Sequence, residues 1–265
     1  MSKKIILLAG PTASGKSKLA IHLAKKINGE IINADSMQVY KEFSILSSRP
    51  SKKEIKQANH HLYGLISVKK YFSAGDWLKE VKKKINLCIK KKKTPIVVGG
   101  TGLYFNTITK GISKIPSIDS KTRNKVRNLF KKLGFAKFYE ELIKLDPKVK
   151  DKILPMDSQR VQRAYEVKLK TRKSLFDWIK NTKSDFVDYD LKKIFLAIPR
   201  DELLKKISER TKLMFIQDCI EEVKKFNLIK LNKSLSANKL IGVQEINSYL
   251  KNNIDLKQCK ELINI

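Results

Sequence analysis

Apolar positions in the first third of the chain follow two rhythms. Short runs, Ile5 to Ala9, Glu30 to Ala34 and Pro95 to Val98, read as buried strands. Longer amphipathic stretches lie between them. Lys16 to Lys26 puts Leu19, Ala20, Leu23 and Ala24 on one helical face. Asp76 to Lys92 carries Trp77, Val81, Ile85, Cys88 and Ile89 as an apolar stripe on an otherwise basic helix. Strand, helix and strand in alternation predict right-handed βαβ units and a parallel sheet, hence an α/β class.

The rhythm changes after Gly111. Residues 113–190 show helical periodicity and no buried-strand pattern. Ser120 is placed to cap a helix toward Leu133 that Gly134 ends, and Asp157 to Leu169 predicts another, with Val161, Ala164, Tyr165 and Val167 uncharged. Lys193 to Ile198 reads as one more strand, stopped by Pro199, followed by a helix over Leu203 to Phe226 and further helix beyond. The expected organisation is an α/β core from residues 1–112 and 191–265, interrupted by a helical insertion over residues 113–190.

Composition narrows the function. Hydrophobic residues make up 42% of 265, enough for a sizeable core. The 57 Lys and Arg against 26 Asp and Glu give a formal charge of +31. The excess is spread out: 22 basic against 6 acidic (+16) in 1–112, 20 against 11 (+9) in 113–190, and 15 against 9 (+6) in 191–265. Such a field attracts nucleic acid or phosphorylated ligands, although lysine-rich composition alone also produces it. No apolar run approaches the ~20 residues of a membrane span. The basic, then apolar start at Met1 to Gly10 lacks a cleavage site and is too short for a signal peptide. Cys88, Cys219 and Cys259 are odd in number and far apart, which argues against a disulfide framework or zinc site. His22, His60 and His61 lack metal-site surroundings in the sequence, and His60-His61 reads as a strand entry at the sheet edge. The expectation is a cytoplasmic protein without a membrane partner.

Three motifs carry candidate chemistry. Gly10-Pro11-Thr12-Ala13-Ser14-Gly15-Lys16-Ser17 matches G-x-x-x-x-G-K-S/T between a strand and a helix. Its backbone N–H groups and the helix N-terminus suit a polyphosphate or diphosphate, Lys16 neutralises phosphate oxygens, and Ser17 can hold Mg²⁺. Asp35, in Asn33-Ala34-Asp35-Ser36-Met37-Gln38-Val39-Tyr40, stands at the carboxyl end of the next strand, the edge that faces ligands in open parallel sheets. There it is a general base, a magnesium holder or the cap of its own turn. Val97-Val98-Gly99-Gly100-Thr101-Gly102-Leu103-Tyr104 brings a hydroxyl and three glycines to the same edge, with Thr101 expected to face Asp35 and the glycines to admit a ligand closely. Asp35 alone follows an early strand as an acidic residue, which favours a transferase over a motor or switch NTPase.

Together these motifs resemble the bacterial tRNA dimethylallyltransferase (tRNA isopentenyltransferase) family. Asp157-Ser158-Gln159-Arg160-Val161-Gln162-Arg163-Ala164-Tyr165-Glu166-Val167, Asp146-Pro147, Arg210 and Ile241-Gly242-Val243-Gln244-Glu245 extend the likeness in the family's order. Leu46-Ser47-Ser48-Arg49-Pro50 stands where the family has a Gly-Thr pair, a basic residue and Pro, and the family continues past the position of Ile265 into a basic helical segment. The resemblance implies a P-loop NTPase-like core with a helical insertion. It implies transfer of a dimethylallyl group from dimethylallyl diphosphate to the N6 amine of the adenosine 3′ of the anticodon. Gly10 to Ser17 then bind diphosphate rather than ATP, and Asp35 takes the amine proton. Thr101 sits beside the leaving oxygen, Lys16 and Arg210 neutralise the leaving group, and Ser17 holds Mg²⁺. Asp35, Ser36, Met37, Gln38, Thr101, Arg123, Gln159, Arg160, Val161, Gln162 and Arg163 are the implied contacts to the tRNA anticodon stem-loop, by one chain acting as a monomer. A prenyltransferase acting on free adenine nucleotides and a small-molecule kinase are the alternatives.

Overall fold

A computed structural model describes residues 3–231 and 235–264. The chain forms two units, residues 1–107 with 188–265, and residues 108–187. The expected junctions lay at 112/113 and 190/191.

The first unit opens with β1 (Lys4–Ala9), α1 (Lys16–Lys26), β2 (Gly29–Asn33), a short α2 (Lys52–Ile55), β3 (His60–His61), α3 (Ala74–Lys90), β4 (Thr94–Gly99) and α4 (Gly102–Thr109). The strand patterns in the sequence translate directly. In β1, Ile5, Ile6, Leu7 and Leu8 are all buried, because a parallel sheet covered on both faces buries every position. Helix α3 begins at a capping box in which Ser73 and Asp76 each bond the other's backbone N–H, a start one residue pair earlier than periodicity indicates. The sheet is parallel, with order β3-β2-β4-β1-β5. His60-His61 does form the edge strand.

The helical unit holds α5 (Ser120–Leu145), α6 (Ser158–Thr171) and α7 (Leu175–Lys180). One expectation changes here. Asp119, not Ser120, caps α5, accepting from the Thr122 N–H at 2.8 Å. Gly134 does end the first helical stretch, at the non-helical angles φ 71°, ψ −177°, and a second stretch runs on to Leu145. Val126, Phe138, Leu142, Val149, Ile153, Val161 and Ala164 form this unit's core.

The chain then returns through β5 (Asp190–Phe195), which starts three residues earlier than expected because its pairing with β1 begins at Lys4 opposite Asp190. The helix expected over Leu203 to Phe226 is two helices, α8 (Arg200–Ile216) and α9 (Cys219–Asn227). Asp218 separates them at φ 67°, ψ 49°, and its side chain accepts from the Glu221 N–H. Then follow α10 (Val243–Leu250) and α11 (Leu256–Ile263). α1 packs Ala20, Ile21 and Ala24 on Ile6, Leu8, Ile31, Ile96 and Val98. α8 to α11 form a second core with the segment from Val39 to Leu46. No helix among the described residues is long and apolar enough to cross a membrane.

Candidate active site

β1 lies between β4 and β5, so the chain leaves it in one direction toward β2 and β3 and later crosses to its other side. This reversal opens a crevice at the carboxyl ends of the strands. The loops after β1, β2 and β4 all meet there.

The loop after β1 turns through Ala13 (φ 61°) and Gly15 (φ 86°), the residue preceding α1. Lys16 lies in the first turn of α1. Its Nζ donates to the Pro11 carbonyl and to Ser14 Oγ, the latter at 3.4 Å. Burial lowers the Lys16 pKa to about 8; Asp35 raises it and Arg210 lowers it further. The Arg210 guanidinium on α8 is also depressed by burial and supported by Asp35. Two cations and one carboxylate from three elements therefore lie in mutual electrostatic reach.

Asp35 is held by its neighbours. Buried Asn33 accepts the Asp35 N–H at 2.8 Å and donates to the Asp35 carbonyl at 2.9 Å and the Leu62 carbonyl at 3.2 Å. Trp77 donates to the Asn33 carbonyl at 2.9 Å and stacks on Tyr104, centroids 4.2 Å apart. Asp35 Oδ1 accepts from the Met37 N–H at 2.9 Å, so the turn-capping alternative describes one of its two oxygens. The other faces Gly100, where an added Cβ would lie 3.9 Å from Oδ2 and 3.7 Å from the Gly10 carbonyl.

Thr101, expected to face Asp35, bonds the next residue, Ser36. Its Oγ1 accepts the Ser36 N–H at 2.9 Å and donates to Ser36 Oγ at 3.3 Å. The glycines before it play different parts from the single one expected. A Cβ on Gly99 would lie 2.1 Å from the Ala34 carbonyl, so Gly99 serves close approach of two backbones, not of a ligand. That approach lets Ala34 bond Val98 at 2.7 Å and Thr101 bond Ala34 at 3.2 Å beyond the ends of β2 and β4.

Gln38 donates through Nε2 to the carbonyls of Ser47 and Ser48, at 2.8 and 2.9 Å. Ser36 and Met37 are half-buried beside it. Asn33 is a support that the sequence reading missed, as is Glu222 on α9, which accepts the Ser44, Ile45 and Leu46 N–H groups. Asn33 was visible in the motif, but its role depends on Leu62, far along the chain.

In the helical unit, Gln159 and Arg160 are exposed on α6, and Gln162 and Arg163 half-exposed. Arg160 pairs with Asp157 at 2.8 Å and Arg163 with Glu166 at 3.4 Å. Val161 is a correction: its side chain is fully buried in this unit's core, unavailable to an RNA. Arg123 on α5 keeps a buried Nε without a hydrogen-bond partner among the described residues.

One grouping goes against expectation. His61, Glu30 and Cys88 bring three kinds of metal donor within 4.8 Å. They satisfy one another: Glu30 takes His61 Nε2 at 2.7 Å, Asn59 at 3.0 Å and the Cys88 thiol at 3.6 Å.

A family model described as IPP transferase matches residues 38–265. A tRNA dimethylallyltransferase of Pelagibacter ubique is 53% identical over 99% of this chain and 84% of its own length. One from Ehrlichia canis is 42% identical over 97% and 85%. Among solved structures, the tRNA isopentenylpyrophosphate transferase of Bacillus halodurans is 30% identical, with TM-score 0.69 over 99% of this chain and 82% of its own. A eukaryotic dimethylallyltransferase acting on tRNA is 28% identical, with TM-score 0.84 over 99% and 66%. With its P-loop-type core, its helical unit and these relatives over nearly its full length, the chain belongs to the IPP transferase family.

Proposed function

We infer that this chain transfers the dimethylallyl group of dimethylallyl diphosphate to the N6 amine of the adenosine 3′-adjacent to the tRNA anticodon. The family and the names of its relatives support this reading. The observation that carries the chemistry is the grouping of Lys16, Asp35 and Arg210 around one strand-end crevice.

The amine nitrogen forms a bond to the allylic carbon as the bond from that carbon to the diphosphate oxygen breaks. An adenine amine is a weak nucleophile, and the Asp35 carboxylate orients it and takes its proton. Negative charge gathers on the departing diphosphate, where the loop from Gly10 to Ser17, Lys16 and Arg210 stabilise it. Thr101, next to Asp35, lies beside the leaving oxygen. Mg²⁺ favours oxygen ligands and keeps several waters. Ser17, exposed in the first turn of α1, offers a hydroxyl oxygen that would hold the ion, which would supply positive charge for the leaving diphosphate.

The target base must leave its stack, at roughly a few kcal/mol. Arg123, Gln159, Arg160, Gln162 and Arg163 on the helical unit are the groups assigned to grip the anticodon stem-loop, with Asp35 to Gln38 and Thr101 meeting the base. The same reading takes the enzyme to be cytoplasmic and to act as a monomer.

Incubation of the chain with tRNA, dimethylallyl diphosphate and Mg²⁺, followed by mass spectrometry of the nucleosides, tests the reading. Dimethylallyl adenosine is the expected product. Prenylated AMP with unmodified tRNA would make it a free-nucleotide enzyme, and ATP-dependent phosphorylation would make it a kinase.

A further inference from the structure

The segment from Ser44 to Ser48 has no helix or strand of its own, yet two groups assigned to the site lean on it. Arg210 Nη2 donates to the Leu46 carbonyl at 3.2 Å. Gln38 Nε2 donates to the Ser47 and Ser48 carbonyls. The position of both therefore depends on what holds this segment.

Glu222 on α9 holds it. Its Oε1 accepts from the Ser44 N–H at 2.6 Å, the Ser44 hydroxyl at 3.0 Å and the Ile45 N–H at 2.9 Å. Its Oε2 accepts from the Leu46 N–H at 2.9 Å. Glu222 is only 9% exposed, and a buried carboxylate is tolerated because donors surround it in this way. Three successive backbone N–H groups converge on one side chain 176 to 178 residues away. Among the described residues the buried Arg210 Nε has no hydrogen-bond partner, so the bond to Leu46 and the charge of Asp35 are what hold the guanidinium. A shift of the Leu46 carbonyl would therefore move the guanidinium.

We propose that Glu222 is a positioning residue that sets the Arg210 guanidinium for the diphosphate, acting through the Ser44–Leu46 backbone. This rests on the reading of Arg210 as a diphosphate contact. It predicts a specific energetic coupling rather than a general loss of stability. In Glu222→Gln the amide turns a donor toward backbone donors, and the segment loses part of its anchor.

The test is a double-mutant cycle on the affinity of the intact chain for inorganic diphosphate, measured by calorimetry for wild type, Glu222→Gln, Arg210→Gln and the pair. Each single variant is expected to weaken binding about tenfold, and the pair to bind no more weakly than Arg210→Gln alone. With each variant shown by thermal melting to be folded at the titration temperature, a general loss of stability leaves the measured affinity unchanged. Glu222→Asp, which keeps the charge but withdraws it by one methylene, runs the same cycle should the glutamine variant fail to fold. Effects that multiply in the pair, wild-type affinity in the Glu222 variants, or no diphosphate binding by wild type would overturn the proposal. Absence of prenyl transfer by wild type with the coupling intact would remove the reaction while leaving Glu222 its role.

Discussion

Oδ1 of Asp35 accepts the Met37 N–H, so part of this carboxylate maintains its own turn while Oδ2 faces Gly100. The two roles separate by substitution. Asp35→Asn keeps a carbonyl oxygen for Met37 but removes the charge and the proton acceptor. Transfer should fall by about 100-fold or more with the thermal midpoint little changed. A variant that retains wild-type turnover removes Asp35 from the proton step. Lys16 carries a pH signature. Burial, with Arg210 adding to it, lowers its pKa to about 8 in the ligand-free chain. A bound diphosphate favours the charged ammonium, so the donor complex takes up a proton above that value. Affinity for dimethylallyl diphosphate should therefore fall as pH rises through about 8, and Lys16→Met should flatten that dependence in a calorimetric titration. The motif around Asp35 was legible in order and residue type. The clamp that Asn33 places on it was not, because its partner carbonyl belongs to Leu62.

At the scale of elements, the site is a junction of strand ends. β2 and β4 continue their pairing one step past their last residues only because Gly99 lets Ala34 approach. Gly99→Ala places a methyl against the Ala34 carbonyl, and overpacking of this kind typically costs about 1–3 kcal/mol. The prediction is a lower thermal midpoint together with a fall in kcat, since Asp35 and Thr101 lie at the two ends being pushed apart. A variant with normal kcat and only a lower midpoint would mean the strand ends have slack. Sequence periodicity identified both strands but assigned the glycines to ligand access. It also ran α8 and α9 together, because apolar positions persist through Asp218 and only the backbone angle there reveals the break.

For the whole molecule, the +31 charge favours a polyanionic partner such as tRNA. Phosphate contacts release counterions, so binding weakens with salt in proportion to their number. Arg160, its side chain 77% exposed and paired with Asp157 at its own helix start, should report one such contact. Arg160→Ala is expected to weaken tRNA binding and to reduce the salt slope by about one. A wild-type slope in the variant would leave Arg160 as a solvated ion pair. Local pattern by itself determined the parallel α/β class, the glycine loop after β1, the helical stretch between core segments and the family likeness, because strand burial, helical period and glycine turns are properties of neighbouring residues. Only the tertiary structure decided which groups touch. Hydrogen bonds from Ser44 to Glu222 and from Arg210 to Leu46 span more than half the chain, and no short-range signal encodes a partner that far away.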